Sequence, residues 1–288
     1  MVSVDQAEGL RRLLGRDFFR IVTFTSSRAG VGKTTAVLNL AAALAGAGKN
    51  VMILDENPGR GNFADFFRIK DAGDLLDAAR SGRTLDEIMI PGPEGMTVLQ
   101  AAQGAEALAD LSEKEPVRLV DCMSNIARPF DVVLVDTAAG SPSHLLSLTL
   151  SSQEIVVVLS PEGSAITDAY ALIKMMNLHY GKRYFRILVN KVKDEEEGRA
   201  IFENMSKVAR RFLALSLDYM GFVPSDGTLM QASRLMRPVI DAFPLSSASS
   251  SFRNIADSVI RWPCPQNISL GDFLQHLIQS SRLTSARA

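Results

Sequence analysis

The stretch from Phe18 to Thr35 constrains the fold more than any other part of the chain. It reads Phe-Phe-Arg-Ile-Val-Thr-Phe-Thr-Ser-Ser-Arg-Ala-Gly-Val-Gly-Lys-Thr-Thr and opens with an apolar, β-branched run. Such a run suits a strand buried on both faces of a parallel sheet. From Ser27 to Gly32 the residues are small apart from Arg28 and Val31, and from Lys33 a helical pattern continues through Leu44. Strand, small-residue loop, Lys-Thr-Thr and helix together form the arrangement that cradles phosphate. Backbone N–H groups and the positive helix end face the anion, the lysine reaches the outer phosphates, and a hydroxyl takes Mg²⁺. The pattern G-x-x-x-x-G-K-[ST] fails at its first position, where Ser27 replaces glycine.

The bulk of the sequence narrows the class. Arg and Lys total 31 against 32 acids, so no global field invites nucleic acid or an anionic membrane. Cys122 and Cys264 are too few and too far apart for a disulfide framework or a metal site, and read as inert thiols of a reducing compartment. The N-terminus carries acids and no apolar core, and no apolar run approaches the roughly 20 residues a membrane span needs. A cytoplasmic protein is expected.

Strand and helix patterns alternate from Phe18 onward. Strands are expected at 50–55, 96–99, 130–136, 154–159, 185–190 and 219–224, and helices at about 114–127, from Asp168, at 194–214 and at 246–262. This rhythm predicts an α/β fold, a mostly parallel sheet with helices on both faces, and the phosphate loop makes it a P-loop nucleotide-binding sheet. Residues 18–262 are expected to form that body. Residues 1–17 read as a detached helix: Ser3-x-x-Gln6 and Asp5-x-x-Glu8 have capping-box spacing, and Val4, Ala7, Leu10 and Leu14 share one face. Residues 263–288 read as a tail in which Leu270, Phe273, Leu274, Leu277 and Ile278 make an amphipathic stripe. Two readings of the stripe stand side by side: packing on the body, or weak, transient membrane contact.

Ligands in open α/β sheets sit at the carboxyl ends of strands. Asp55, Asp136 and Asn190 all stand at such ends, beside Lys33-Thr34. Mg²⁺ is commonly held by one or two protein oxygens together with substrate phosphates and water. The metal set expected is Thr34 directly, with Asp136 and Asp55 acting mainly through bound waters.

Ser27-Arg-Ala-Gly-Val-Gly-Lys-Thr-Thr35 resembles the deviant Walker motif of the MinD/ParA ATPases. Asp55-Glu-Asn-Pro-Gly-Arg-Gly-Asn62 is similar to their switch I, and Asp131 to Gly140 to their switch II. Within that family the chain resembles the FlhG (FleN) group of flagellar number regulators. Pro161-Glu162, Thr167 to Lys174, Arg211-Phe-Leu213, Tyr219 to Asp226 and above all Asp5-Gln6-Ala7-x-x-Leu10-Arg11 carry this likeness.

The resemblance implies an ATP-gated homodimer with nucleotide held by Ala29, Gly30, Val31, Gly32, Lys33, Thr34 and Thr35. It implies that Arg28 crosses to the partner's phosphates, that Asp168 lies near the dimer contact, and that Asn190 reads the adenine. It also implies that Gln6, with Leu10 and Arg11, is offered to the GTPase FlhF, and that a flagellar transcriptional regulator or switch-complex protein is a further client. Lys33, Arg28, Asn57 and Asp136 form the catalytic set, with Asn57 in place of an aspartate that orients or activates the attacking water. An amide is a poor base, and base help is worth about 10²–10⁴ in rate. Ala29 replaces a glycine, at a cost of roughly 1–2 kcal/mol if the site needs φ > 0. Three functions follow: a hydrolysing ATP switch, a non-hydrolysing ATP-gated scaffold, and a partitioning ATPase, which the balanced charge disfavours because specific nucleic-acid binding needs a basic surface.

Overall fold

The structure, a computed structural model, describes residues 20–57, 62–69, 73–112, 114–124, 126, 130–138, 149, 151–152, 154–263 and 270–285. Apolar, β-branched runs become the strands. These are β1 (Arg20–Thr25), β2 (Val51–Asp55), β3 (Ile90–Pro91), β4 (Thr97–Gln100), β5 (Val132–Asp136), β6 (Glu154–Leu159), β7 (Phe185–Val192) and β8 (Leu217–Pro224). They lie in the order β3-β4-β2-β5-β1-β6-β7-β8, parallel except for β3. The two-residue β3 was not expected, and its Pro91 suits an edge position, where a missing N–H breaks no central ladder.

Alternation along the strands sends side chains to both faces. Val22, Phe24, Ile53, Leu134 and Val156 meet the helices α1 (Lys33–Gly46) and α11 (Ser247–Arg261) on one face. On the other, Ile21, Leu54, Val133 and Val135 share a core with α3 (Leu75–Arg80), α4 (Leu85–Ile88), α5 (Gly104–Ala109) and α6 (Glu115–Ser124). Further along that face, β6 and β7 are covered by α7 (Gly163–Tyr180) and α8 (Glu195–Leu213). The short helices α2 (Phe63–Phe66), α9 (Gly227–Arg234) and α10 (Val239–Ala242) lie close to the carboxyl end of β1, around the start of α1.

The expected C-terminal helix is α12 (Leu270–Ser285). It packs on α5 and α6, and Phe273, Leu274, Leu277 and Ile278 are buried in the same cluster as Val133 and Val135. Of the two readings of the stripe, the structure realises packing on the body, so this face is not available to lipid. The N-terminal helix with Gln6, Leu10 and Arg11 lies outside the described residues, as do Cys264 and the switch segments 58–61 and 139–148.

At the opposite end of the sheet from the phosphate loop, Arg20 donates to the carbonyls of Trp262 at 2.7 Å and Pro263 at 3.2 Å. Arg186 stacks over the Trp262 ring at 3.8 Å and pairs with Glu154 at 2.9 Å. These contacts fasten the end of α11 to the start of β1.

Candidate functional site

β1 ends at Thr25 between β5 and β6, and the loop Ser26 to Gly32 carries it into α1. Two turns of this loop need glycine. Gly30 has φ +82° and Gly32 φ +90°, and a methyl on Gly32 would fall 2.1 Å from Asn190 Nδ2. Ala29 is not among the positive-φ residues, so the strain considered for its methyl does not arise. α1 then opens with Lys33, and its first N–H groups have no acceptors within the helix.

The register of β1, β2 and β5 brings the acids together, with Phe24 and Asp55 each paired to Asp136. Lys33 Nζ donates to Asp136 Oδ1 at 2.5 Å and to the carbonyl of Thr137. Thr34 Oγ1 donates to Asp136 Oδ2 at 2.7 Å. Asn57 Nδ2 bridges the two carboxylates, at 2.9 Å from Asp55 Oδ1 and 2.8 Å from Asp136 Oδ2. Asp55 Oδ2 accepts from Phe63 N at 2.9 Å and Gln100 Nε2 at 3.1 Å. Lys33, Thr34, Asp55, Asn57 and Asp136 therefore meet at one place.

Electrostatics tighten the group. Burial first, then the neighbouring Asp136 carboxylate, raises the Asp55 pKa despite the hydrogen bonds from Phe63 and Asn57. Glu56 is 2% exposed, and burial pushes its carboxyl up to about 8. Its Oε2 accepts from Ala138 N at 3.1 Å, while Oε1 has no hydrogen-bond partner among the described residues. Asp55 and Asp136 stand close enough to raise the Asp55 pKa, and a divalent cation between them would relieve that repulsion. No cluster of three or more His, Cys, Asp or Glu ligands occurs among the described residues. The Asp55, Asp136 and Thr34 oxygens instead match a Mg²⁺ site in which phosphates and water complete the shell.

Arg28 and Asp168 are both on the surface and face each other within this chain, Nε to Oδ2 at 3.7 Å, with Arg28 also donating to Ser164 Oγ at 2.5 Å. Asn190 is buried, and its amide is engaged by the loop: Nδ2 donates to the Val31 carbonyl at 2.7 Å, and Oδ1 accepts from Lys191 N at 2.9 Å. Beside Thr34 and Thr35 opens a cavity of about 150 Å³ between Phe63 and Phe66 of α2, Leu229 of α9 and Arg237. Sequence reasoning did not single out Gln100, Lys191 or Ser164. Gln100 was the most findable, as a polar residue ending a strand in register with Asp55.

The CobQ/CobB/MinD/ParA nucleotide binding domain matches residues 22–239. The chain is 36% identical over 269 residues to the antiactivator FleN of Pseudomonas aeruginosa, covering 93% of this chain and 96% of that protein. It is 31% identical over 251 residues to the flagellum site-determining protein YlxH of Helicobacter pylori, covering 84% and 82%. Among solved structures, the MinC:MinD cell division protein complex of Aquifex aeolicus superposes with TM-score 0.67 at 22% identity, over 87% of this chain and 99% of that one. MinD of Pyrococcus horikoshii, complexed with Mg-ADP, does so at 0.64 and 21%, over 84% and 96%.

Proposed function

The chain belongs to the CobQ/CobB/MinD/ParA family and is a P-loop ATPase of the MinD/ParA type, and from that premise we propose an ATP-gated dimerising switch that sets flagellar number or placement. One observation carries the site assignment: Lys33 and Thr34 at the start of α1 both donate to Asp136 at the end of β5. In this reading the loop from Ala29 to Thr35 takes the phosphates, and Lys33 exchanges Asp136 for the outer phosphate oxygens. Thr34 would hold Mg²⁺, with Asp136 and Asp55 supporting it through bound waters. When bound, the ion would neutralise charge on the phosphates. Asn57, fixed by both carboxylates, orients the attacking water through its amide without taking its proton. Arg28 leaves Asp168 and Ser164 to reach across to a second copy's phosphates, and Asn190 lies where the base is read.

The names of the relatives, an antiactivator and a flagellum site-determining protein, favour flagellar control over partitioning. The finer part of the reading gives residues 1–17 to FlhF, with Gln6 completing that partner's GTPase site, and a flagellar transcriptional regulator or switch-complex protein as a further client. The working place is the cytoplasm. No helix among the described residues is long and apolar enough to cross a membrane, and membrane contact through the α12 stripe would require that helix to undock. A second reading, a scaffold that binds ATP without turnover, is favoured by Asn57 alone.

Light scattering with Mg·ATP, run beside a phosphate-release assay, tests the proposal. The parent should become a dimer and release phosphate, and Lys33→Ala should do neither. A parent that dimerises with no release supports the scaffold, whereas a Lys33→Ala dimer matching the parent removes the site.

A further inference from the structure

Two consecutive carbonyls of the phosphate loop are held from outside it. Lys191 Nζ donates to the Gly30 carbonyl at 2.7 Å, and Asn190 Nδ2 donates to the Val31 carbonyl at 2.7 Å. Both donors stand near the end of β7, which is separated from β1 by β6. Lys191 has φ 60°, a left-handed conformation that residues with a Cβ resist. The Asn190 side-chain Oδ1 stabilises it by accepting the Lys191 N–H at 2.9 Å. One asparagine thus fixes the backbone that aims the neighbouring lysine.

A trans peptide unit is planar, so its C=O and N–H point in opposite directions. No cis peptide occurs among the described residues. Drawing the Gly30 and Val31 carbonyls toward β7 therefore turns the N–H groups of Val31 and Gly32 away from it, side by side. Consecutive N–H groups that share a direction, within a stretch where φ alternates in sign, make an anion-binding nest. Gly30 and Gly32 supply the positive φ on either side of Val31, whose side chain is locked in the core. The approach of Asn190 to 2.1 Å from a methyl position explains why Gly32 has no side chain.

We propose that Lys191 and Asn190 are positioning residues that preorganise the phosphate loop by holding the Gly30 and Val31 carbonyls. This deepens, and rests on, the assignment of that loop to the phosphates. Asn190 is then not solely a base reader. Its Nδ2 keeps one hydrogen for a base, while the other belongs to the loop.

Inorganic tripolyphosphate, which carries no base or sugar, separates the two roles. Mg·ATP affinity is measured by calorimetry, and Mg·tripolyphosphate by displacement of ATP, for the parent, Lys191→Met and Lys191→Arg. The methionine variant keeps the stem and should weaken both ligands by about tenfold, the size expected for one charge-assisted hydrogen bond. Arginine should restore most of the loss. Lys193→Met removes the same charge from an exposed side chain two residues on, and should change either affinity by no more than about twofold. The ligand-free melting temperature, recorded for all four proteins, shows that each is folded at the temperature of the binding measurement.

A Lys191→Met protein that loses ATP affinity but keeps tripolyphosphate affinity would make Lys191 a base or sugar contact and overturn the proposal. So would a parent that binds Mg·ATP but not Mg·tripolyphosphate, an unaffected Lys191→Met, or an equal loss in Lys193→Met. A parent that binds neither ligand removes the phosphate-site assignment itself. Lys33→Ala, which should abolish both, distinguishes that failure from the others.

Discussion

Lys33 Nζ lies 2.5 Å from Asp136 Oδ1, with the two side chains 5% and 0% exposed. The phosphate-seeking lysine is thus already neutralised by a buried carboxylate, and a nucleotide has to exchange one anion for another. Removing one member of a buried pair costs about 3–5 kcal/mol, because it strands the other charge. Lys33→Ala is expected to melt well below the parent without ligand and to gain nothing from Mg·ATP. Differential scanning fluorimetry reads both, and an unchanged ATP shift in the variant would take Lys33 out of the site.

Asn57 is a donor between two acceptors, as well as a replacement for a base. Asn57→Asp puts a third carboxylate within about 3 Å of Asp55 and Asp136, leaving buried acceptors without their hydrogens at a cost of about 2 kcal/mol or more. The variant should be less stable than the parent in EDTA, recover with Mg²⁺, and turn over ATP faster without binding it more tightly. Thermal melts in the two buffers and a phosphate-release assay check this. A turnover rate that stays put would place the limit at Arg28 or at product release.

One carboxylate joins two helix starts. Asp226 Oδ1 accepts from Thr228 N and Oγ1 at the head of α9, and Oδ2 from Ser247 Oγ and Ala248 N at the head of α11. Burial acts to raise its pKa, but these four hydrogen bonds outweigh it and hold the group at about 2. The folded value lies below the unfolded one of 3.8, so the stabilisation is complete above that pH and disappears as pH falls toward 2. Asp226→Asn should be less stable than the parent at pH 7, and the gap should close between pH 4 and pH 2. Urea unfolding across that range gives the answer, and a constant gap would deny Asp226 its linkage.

Leu274 and Leu277 on α12 are fully buried against the body. Leu274→Ala is expected to cost about 2–5 kcal/mol, the usual range for a buried leucine. If α12 instead worked free of the body, chemical denaturation would show no such loss, and the stripe would be open to liposomes.

The N-terminal arm is tested apart from the ATPase. A peptide of residues 1–17 should accelerate GTP hydrolysis by FlhF from the same organism, and Gln6→Ala should remove the effect while leaving Mg·ATP dimerisation of the full chain intact. No acceleration by either the peptide or the full chain would reject the activator role.

The central strands and long helices were legible because each is a run of apolar residues with one clear period. The fold class followed, and so did the meeting of Lys33, Thr34, Asp55 and Asp136, because parallel strands deliver their carboxyl ends to one edge. Less visible were α9 and α10, which are short and separated by a turn at Met236, φ 56°, and Pro238. They depend on distant partners: Asn39 Oδ1 accepts from Val239 N, 200 residues away. Ala29 was considered a strained position because glycine is usual there, but strain depends on φ, which residue identity alone does not give. Asn190 was expected to end its strand, but β7 runs on to Val192, two residues further. The hold of Asn190 on Val31 belongs to a contact 159 residues apart that no local pattern encodes.

The fastening of Arg20 to Trp262 and Pro263 joins the first described residue of β1 to the end of α11. The chain enters the body and begins its departure toward α12 at adjoining points, on the edge of the sheet farthest from the phosphates. β1 has six residues, so about 20 Å of strand separates that edge from the phosphate loop. β1 is buried along its whole length, so a shift of that strand is a route by which a change at the phosphate loop reaches the Arg20 end of the body.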